Sequence, residues 1–250
     1  MFILPINRDH RFTRTPVIVI TLIAVNSTVL LGALLSGSGD LVYRHFGFTP
    51  ADPHMFNLFT ALFIHAGFLH LLGNMWFLWM FGRQVEDALG SWIFALVYFV
   101  CGLGGHALHW ALNNHSPIPL VGASGAISGI AGIYFILFPK SRFNLYFYLG
   151  WWKVWSTSTF THVAVGVWIG EQFVLGLITQ GTHLAGVAFW AHVGGFVTGL
   201  AVAAMYVLIV PAEHRQFIPL NAEDTLADGP DLKDGGLTTL NLDRPDSKPN

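Results

Sequence analysis

The chain has 250 residues, of which 53% are hydrophobic and only 10% are charged, and its formal net charge is −2. A soluble domain normally carries about 25% charged residues, so this composition excludes an ordinary water-soluble protein and indicates a chain that needs lipid around it. The single cysteine, Cys101, excludes an intramolecular disulfide and argues against a cysteine-based zinc site.

Long uncharged stretches recur along the chain, each with room for the roughly 20 residues that cross a bilayer. They predict an all-α polytopic membrane protein whose six-helix bundle occupies residues 15–210, after a short cytoplasmic segment at 1–14. Residues 211–250 are rich in Asp, Pro, Gly, Thr and Asn and predict a disordered cytoplasmic tail. The six predicted helices are Pro16–Leu35, Leu69–Val85, Trp92–Leu112, Ala123–Phe138, Thr159–Ile178 and Leu184–Val210.

The segment Ser36–Phe68 separates the first two predicted helices and contains an apolar run too short to span, which indicates an interfacial or re-entrant piece. With six spans, the loops rich in Lys and Arg fall on one side, while the opposite side carries only Arg44. The positive-inside rule then places both termini in the cytoplasm, with Ser36–Phe68 and the loop "NNHSPIPL" outside. The basic residues that set this orientation are Arg8, Arg11, Arg14, Arg83, Lys140, Arg142, Lys153 and Arg215.

Polar side chains inside a span are costly and each needs a reason. His70 and Asn74 of the second predicted helix share one helical face, because they are four residues apart, and both lie in its outer half. Their N–H groups suit an oxyanion hole. Hydrogen bonding between helices is the alternative role for such residues.

Ser124 stands at the start of the fourth predicted helix, in the stretch "LVGASGAISG". Unpaired N–H groups at a helix start can stabilise an oxyanion beside this serine, and Gly122 and Gly125 let a substrate backbone come close. The alternative is close helix packing, since Gly125 and Gly129 form a small-xxx-small pair. Taken alone, this motif favours packing.

His192 lies in the outer half of the sixth predicted helix. Gly195 and Gly199 follow it and would pack this helix against the Gly125 and Gly129 face of the fourth, which is the closeness that a Ser–His hydrogen bond requires. A neutral histidine bonded within the bundle is the alternative. Because helices two, four and six all carry polar groups at one level, the catalytic interpretation is favoured over the separate alternatives.

No acid completes a triad. Glu171 is the only carboxylate within a predicted span, and its depth places it below Ser124, so a Ser–His dyad without metal or cofactor is the economical proposal. A metal protein or transporter is the alternative from another class, because His65/His70 and His106/His109 have ligand-like spacings. No basic nucleic-acid patch is present.

The motifs "HAGFLHLLGN", "GASG" and "AHVGGFVTG", in this order, resemble the rhomboid intramembrane serine proteases of the bacterial six-helix type over about Arg14–Val210. The resemblance implies cleavage of transmembrane or membrane-adjacent substrates, with Ser124 as nucleophile and His192 as general base and acid. Asn74, His70 and the Ser124 backbone N–H would form the oxyanion hole. It also implies a bacterial cell membrane and a site open to the outer face.

Further residues take structural roles by the same resemblance. His65 would support the first outer loop, and Glu86 and Gly90 would be structural. The fifth helix and the turn "TQGTH" would act as a substrate gate. Some members carry an aromatic residue four positions after the nucleophile, on which the histidine packs, but this chain has Ser128 there. Non-catalytic relatives usually lose the nucleophile or the base, and both are present here.

Overall fold

The computed structural model describes residues 2–7, 14–149, 152–179 and 188–211. The predicted tail beyond residue 211, the turn after Thr179 and the start of the sixth predicted helix lie outside these described residues. A helix occupies each of the six predicted places, and the all-α bundle class is confirmed. The helices are α1 (Val17–Leu35), α2 (Gly39–Phe46), α3 (Asn57–Thr60), α4 (Phe68–Phe77), α5 (Arg83–Leu89), α6 (Ser91–Asn113), α7 (Ser124–Leu137), α8 (Thr161–Thr179) and α9 (Phe189–Ile209).

Four of these helices, α1, α6, α8 and α9, are long and apolar enough to cross a membrane. A fifth candidate is the pair Asn57–Phe63 and Phe68–Leu89, which is bent by 93°. Helix α7 has only 14 residues and extends about 21 Å, short of a hydrocarbon core of about 30 Å. The count of six complete spans therefore stays a prediction.

The bent pair contains the segment expected to be interfacial or re-entrant. It runs from α3 through a 3-10 turn at Ala61–Phe63, turns through about a right angle, and continues through α4, a π-helical turn at Leu78–Gly82, and α5. Its first arm is tied to the loop before Ser124, because the N–H of Gly122 donates to the carbonyl of Ala61 at 2.9 Å.

A second tie holds the same loop. Phe48 and Leu120 form an antiparallel bridge, with N–H to O distances of 3.0 and 2.7 Å in the two directions. The hydroxyl of Tyr43 donates to the carbonyl of Pro119 at 3.1 Å. Residues that precede α4 thus fix the chain that enters α7.

Helix α7 lies in the middle of the bundle. Every residue from Gly125 to Tyr134 is buried, as expected for a helix that is apolar and small-sided all round. The helix ends at Leu137, two residues before Pro139, which cannot continue it. Its first residue, Ser124, is only partly buried, so one end of a packed central helix meets open space.

A three-stranded antiparallel sheet, with strand order β1–β2–β3, was not predicted from the sequence. It consists of β1 (Phe2–Asn7), β2 (Arg142–Leu149) and β3 (Trp152–Phe160). Phe2 pairs with Tyr148, and Arg142 pairs with Phe160. Strands β2 and β3 are rich in aromatic and β-branched residues, which favour extended backbone. The residues between the fourth and fifth predicted helices thus form a hairpin rather than an irregular loop.

The side chain of Glu86 caps the N-terminus of α1. Its two carboxylate oxygens accept the N–H groups of Ile18 and Val19, both at 2.9 Å, and Oε1 also accepts from the Ser91 hydroxyl at 2.6 Å. These N–H groups belong to the first turn of α1, which has no internal acceptor for them. Gly90, at φ 79°, turns the chain between α5 and α6 in the left-handed region that glycine tolerates.

Candidate active site

A cavity of about 1350 Å³ is lined by all four side chains that the sequence predicts for catalysis. They come from three different elements, which are α4, the start of α7 and the first turn of α9. In the described part of the chain no hydrogen bond joins the Ser124 hydroxyl to His192, although both line this cavity. The four residues are His70, Asn74, Ser124 and His192.

Ser124 is the first residue of α7, where the backbone N–H groups have no helical acceptor. The preceding Gly122 has φ 119°, a conformation that side chains rarely adopt. A Cβ there would lie 2.9 Å from Cε1 and 3.0 Å from Nε2 of His70, and 3.8 Å from Oγ of Ser124. Gly122 is therefore needed for its backbone shape and for the space it leaves. The His70 ring and the Ser124 hydroxyl face that same space.

The His70 ring is oriented by a hydrogen bond from the backbone just before α4. The N–H of Ala66 donates to Nδ1 of His70 at 3.4 Å, so Nε2 is the nitrogen that carries the hydrogen in the neutral ring. Nε2 is also the nitrogen that faces Gly122. The ring of His65, a buried residue, packs edge-on against His70 with 5.1 Å between centroids. His65 therefore lies behind His70 and supports it.

Asn74 is 7% exposed, and its Nδ2 donates to the carbonyl of His70 at 2.8 Å. An amide nitrogen carries two hydrogens, and this bond uses one of them. The residue still lines the cavity. One N–H of Asn74 thus fixes the side chain to its helix, and the other has no acceptor among the described residues.

His192 is held from α8. Its Nδ1 is 2.7 Å from Oε1 of Gln172, and its ring lies 5.8 Å from that of Trp168 at an interplanar angle of 34°. Both partners were missed by sequence reasoning, which looked for a carboxylate near this histidine. Glu171, the carboxylate next to Gln172, is exposed. A polar residue one turn from Trp168 on an apolar helix was the available signal.

Ser128 does not face His192. Its hydroxyl donates to the carbonyl of Ser124 at 2.7 Å, within the same helix, and the residue is buried. A ring contact with His192 is made instead by Trp168 of α8. The aromatic contact on His192 thus comes from α8 and not from residue 128 of α7.

Glycines bring α7 and α9 together. A Cβ on Gly195 would collide with the carbonyl oxygen of Gly125, and one on Gly199 would collide with that of Gly129. On the same face, a Cβ on Gly125 would lie 3.4 Å from the carbonyl oxygen of Ala191. Backbone contact thus joins the residue after Ser124 to the residue before His192.

The histidines of the metal alternative have other surroundings. Nδ1 of His106 lies 2.9 Å from the carbonyl oxygen of Leu58, and its ring stacks on Phe48 with 6.1 Å between centroids. His109, the second residue of that pair, lines the cavity instead. Within the described ranges, no three His, Cys, Asp or Glu residues lie close enough together to hold a metal ion.

Comparison with known proteins gives one family match, to the rhomboid domain over residues 52–209. The chain is 30% identical to rhomboid protease GluP of Bacillus subtilis (strain 168) over 154 residues, 62% of this chain and 26% of that protein. It is 27% identical to rhomboid-type serine protease 2 of Emericella nidulans over 199 residues, 80% of this chain and 35% of that protein. It is also 32% identical to RHOMBOID-like protein 4 of Arabidopsis thaliana over 153 residues, 61% of this chain and 34% of that protein. The alignments thus span only 26% to 35% of the length of these relatives.

Proposed function

The chain belongs to the rhomboid family, and from that membership and the cavity described above we propose that it is an intramembrane serine endopeptidase. Its substrates are transmembrane or membrane-adjacent proteins. Ser124 is the nucleophile, and His192 is the general base and then the general acid. The observation that carries the proposal is the convergence of Ser124, His192, His70 and Asn74 on one cavity.

The chemistry follows from the ring nitrogens. With Nδ1 of His192 donating to Gln172, Nε2 has a free lone pair and takes the proton of the Ser124 hydroxyl. Oγ then bonds to the scissile carbonyl carbon, and the carbonyl π electrons move onto its oxygen. When the C–N bond breaks, Nε2–H protonates the departing amine, which leaves an acyl-enzyme. Water, activated by the same Nε2, hydrolyses that ester.

Three donors stabilise the oxyanion in this proposal. The Ser124 N–H is unpaired because it opens α7. Asn74 contributes the amide hydrogen that is not bound to the His70 carbonyl. His70 contributes Nε2–H, since its Nδ1 accepts from Ala66. Each donor is fixed before substrate arrives, which is the condition for electrostatic stabilisation of a transition state.

Hydrolysis needs water, which the bilayer core excludes, and a hydrated cavity solvates polar side chains that lipid would not. A peptide bond inside a helix is shielded by its neighbours, so the substrate must unwind where it is cut. We therefore expect preferred substrates to carry helix-weakening residues near the cut. The cavity opens to the outer face of a bacterial cell membrane in this proposal, with both termini in the cytoplasm.

The decisive test is cleavage of a model transmembrane substrate in detergent and in liposomes. Wild type should cleave it, with and without a chelator, and Ser124→Ala and His192→Ala should not. A fluorophosphonate probe should label wild type but not Ser124→Ala. Ser36→Ala is the matched control, because its exposed hydroxyl bonds to the Gly32 carbonyl at the end of α1.

Normal cleavage by Ser124→Ala would refute the serine mechanism. Loss of wild-type activity with the chelator, together with survival in Ser124→Ala, would instead favour the metal-dependent alternative.

A further inference from the structure

Helix α8 places a buried amide against the base. Gln172 is 6% exposed, and its Oε1 lies 2.7 Å from Nδ1 of His192 on α9. A polar side chain in an apolar helix is costly unless it is partnered. The contact with His192 supplies that partner, so the position of the glutamine is tied to the position of the ring.

The chemistry of the pair fixes which ring nitrogen holds the proton. An amide oxygen only accepts hydrogen bonds, so Nδ1 of His192 must donate, and a neutral imidazole with Nδ1–H has its lone pair on Nε2. The opposite tautomer would set two lone pairs against each other and would leave Ser124 without a base. The proton position at His192 is thus imposed from α8.

We propose that Gln172 is the positioning residue that sets the tautomer and direction of His192, in the role that a carboxylate fills in a Ser–His–acid triad; this rests on the proposed function. A neutral amide holds the ring without adding charge. The neighbouring carboxylate, Glu171, is exposed and so does not take this role.

A second contact from the same face of α8 supports this assignment. Trp168 lies one turn before Gln172, and its ring packs on the His192 ring at 5.8 Å between centroids. The tryptophan limits tilting of the ring, while the glutamine limits its rotation. Ser128 of α7 makes neither contact, because its hydroxyl is bound to the Ser124 carbonyl.

The test compares two variants of Gln172 in cleavage of the model transmembrane substrate. Gln172→Leu keeps the size and removes the acceptor, so kcat should fall about 10- to 100-fold with KM little changed, at or below the lower end of the roughly 10²–10⁴-fold that a general base contributes. Gln172→Glu keeps an acceptor and adds charge, so it should retain most of the activity. Glu171→Gln is the matched control and should behave as wild type.

A pH–rate profile separates positioning from packing. A carboxylate at residue 172 stabilises the imidazolium, so the acid limb of kcat/KM for Gln172→Glu should move to higher pH by about one unit. Among the described residues, the other titratable side chains close enough to affect His192 are His70 of α4 and His109 of α6. Neither is changed in these variants, so a shift reports on residue 172.

The outcomes are distinct. If Gln172→Leu keeps kcat within twofold of wild type while Ser124→Ala is inactive, the positioning role is wrong and the protease proposal stands. If Ser124→Ala cleaves normally, the protease proposal itself is wrong. If Gln172→Leu does not fold, Gln172→Glu decides, because an unmoved acid limb in that variant contradicts the inference.

Discussion

Among single residues, Asn74 has the best-defined task. One amide hydrogen is bound to the His70 carbonyl, and in the proposed mechanism the other is donated to the oxyanion. We expect Asn74→Ala to lower kcat about 10²-fold, because one donor is lost from the transition state. The measurement is the steady-state rate on the model transmembrane substrate.

Asn26→Ala is a matched control for that variant. Asn26 is a buried asparagine of α1 whose Nδ2 donates back to the Leu22 carbonyl at 2.7 Å, as Asn74 does to His70. Asn26 does not line the cavity. The Asn26→Ala variant should therefore cleave the model substrate at the wild-type rate. Equal rates for Asn74→Ala and wild type would remove Asn74 from the oxyanion hole.

The candidate nucleophile and base could be proposed from the sequence because costly polar residues stand out in apolar spans. The role of Gln172 could not be proposed from the sequence, although its side chain is also polar and lies in an apolar helix. Its contact with His192 depends on how α8 is rotated against α9, and helical spacing within one segment carries no information on that rotation. The contact of Trp168 with His192 could not be predicted for the same reason.

The close packing of α7 against α9 requires a glycine at position 199. A Cβ there would collide with the Gly129 carbonyl and would lie 2.8 Å from the Gly129 Cα. Gly199→Ala should therefore push the helices apart and lower the free energy of unfolding by about 1–3 kcal/mol, as overpacking does. The activity should fall as well, because the proposed mechanism requires α7 and α9 to hold Ser124 and His192 close together. Thermal unfolding in detergent and substrate cleavage measure both effects.

Gly32→Ala provides the contrast. Gly32 lies inside α1, and nothing is within 4 Å of a Cβ built on it. Alanine should there raise the free energy of unfolding by about 0.5–1 kcal/mol, the intrinsic helix preference. Equal unfolding temperatures for Gly199→Ala and Gly32→Ala would contradict the packing argument.

The start of α1 depends on Glu86 of α5. Its side chain accepts the N–H groups of Ile18 and Val19, and hydrogen bonds to charged groups contribute about 1.5–3 kcal/mol each to stability. Glu86→Ala should therefore lower the free energy of unfolding by at least that amount, measured by thermal unfolding. Asp40→Ala removes an exposed ion pair with Arg44 and should cost less than about 1 kcal/mol. A smaller loss at Glu86 than at Asp40 would contradict this role.

The positions of the helices could be predicted from the lengths of the apolar stretches. The β-sheet and the bend before α4 could not. The sheet was missed because strands β2 and β3 were interpreted as a charged loop, although their aromatic and β-branched residues favour extended structure. The bend between Asn57–Phe63 and Phe68–Leu89 was anticipated only as a short apolar run. Its position depends on long-range contacts, such as the Gly122 to Ala61 hydrogen bond, that the sequence does not reveal.

At the scale of the whole molecule, burial is uneven along the chain in a way that suits catalysis within a membrane. Helix α7 is buried from Gly125 to Tyr134, yet Ser124 at its start lines a cavity. The residues that hold this end, Phe48 and Ala61, lie on the segment before α4. In the proposed function, this short central helix with its tied loop would let water and substrate reach Ser124 through the cavity.

The proposed orientation can be tested because the only cysteine, Cys101, is fully buried and free. A membrane-impermeant maleimide should therefore leave the wild type unlabelled in intact bacterial cells. His115 and Lys140 are both exposed and lie beyond opposite ends of α7. His115→Cys should be labelled in intact cells, and Lys140→Cys only after the membrane is opened, because the positive-inside rule places Lys140 in the cytoplasm. The reverse labelling pattern would contradict the proposed orientation and would mean that the cavity opens toward the cytoplasm.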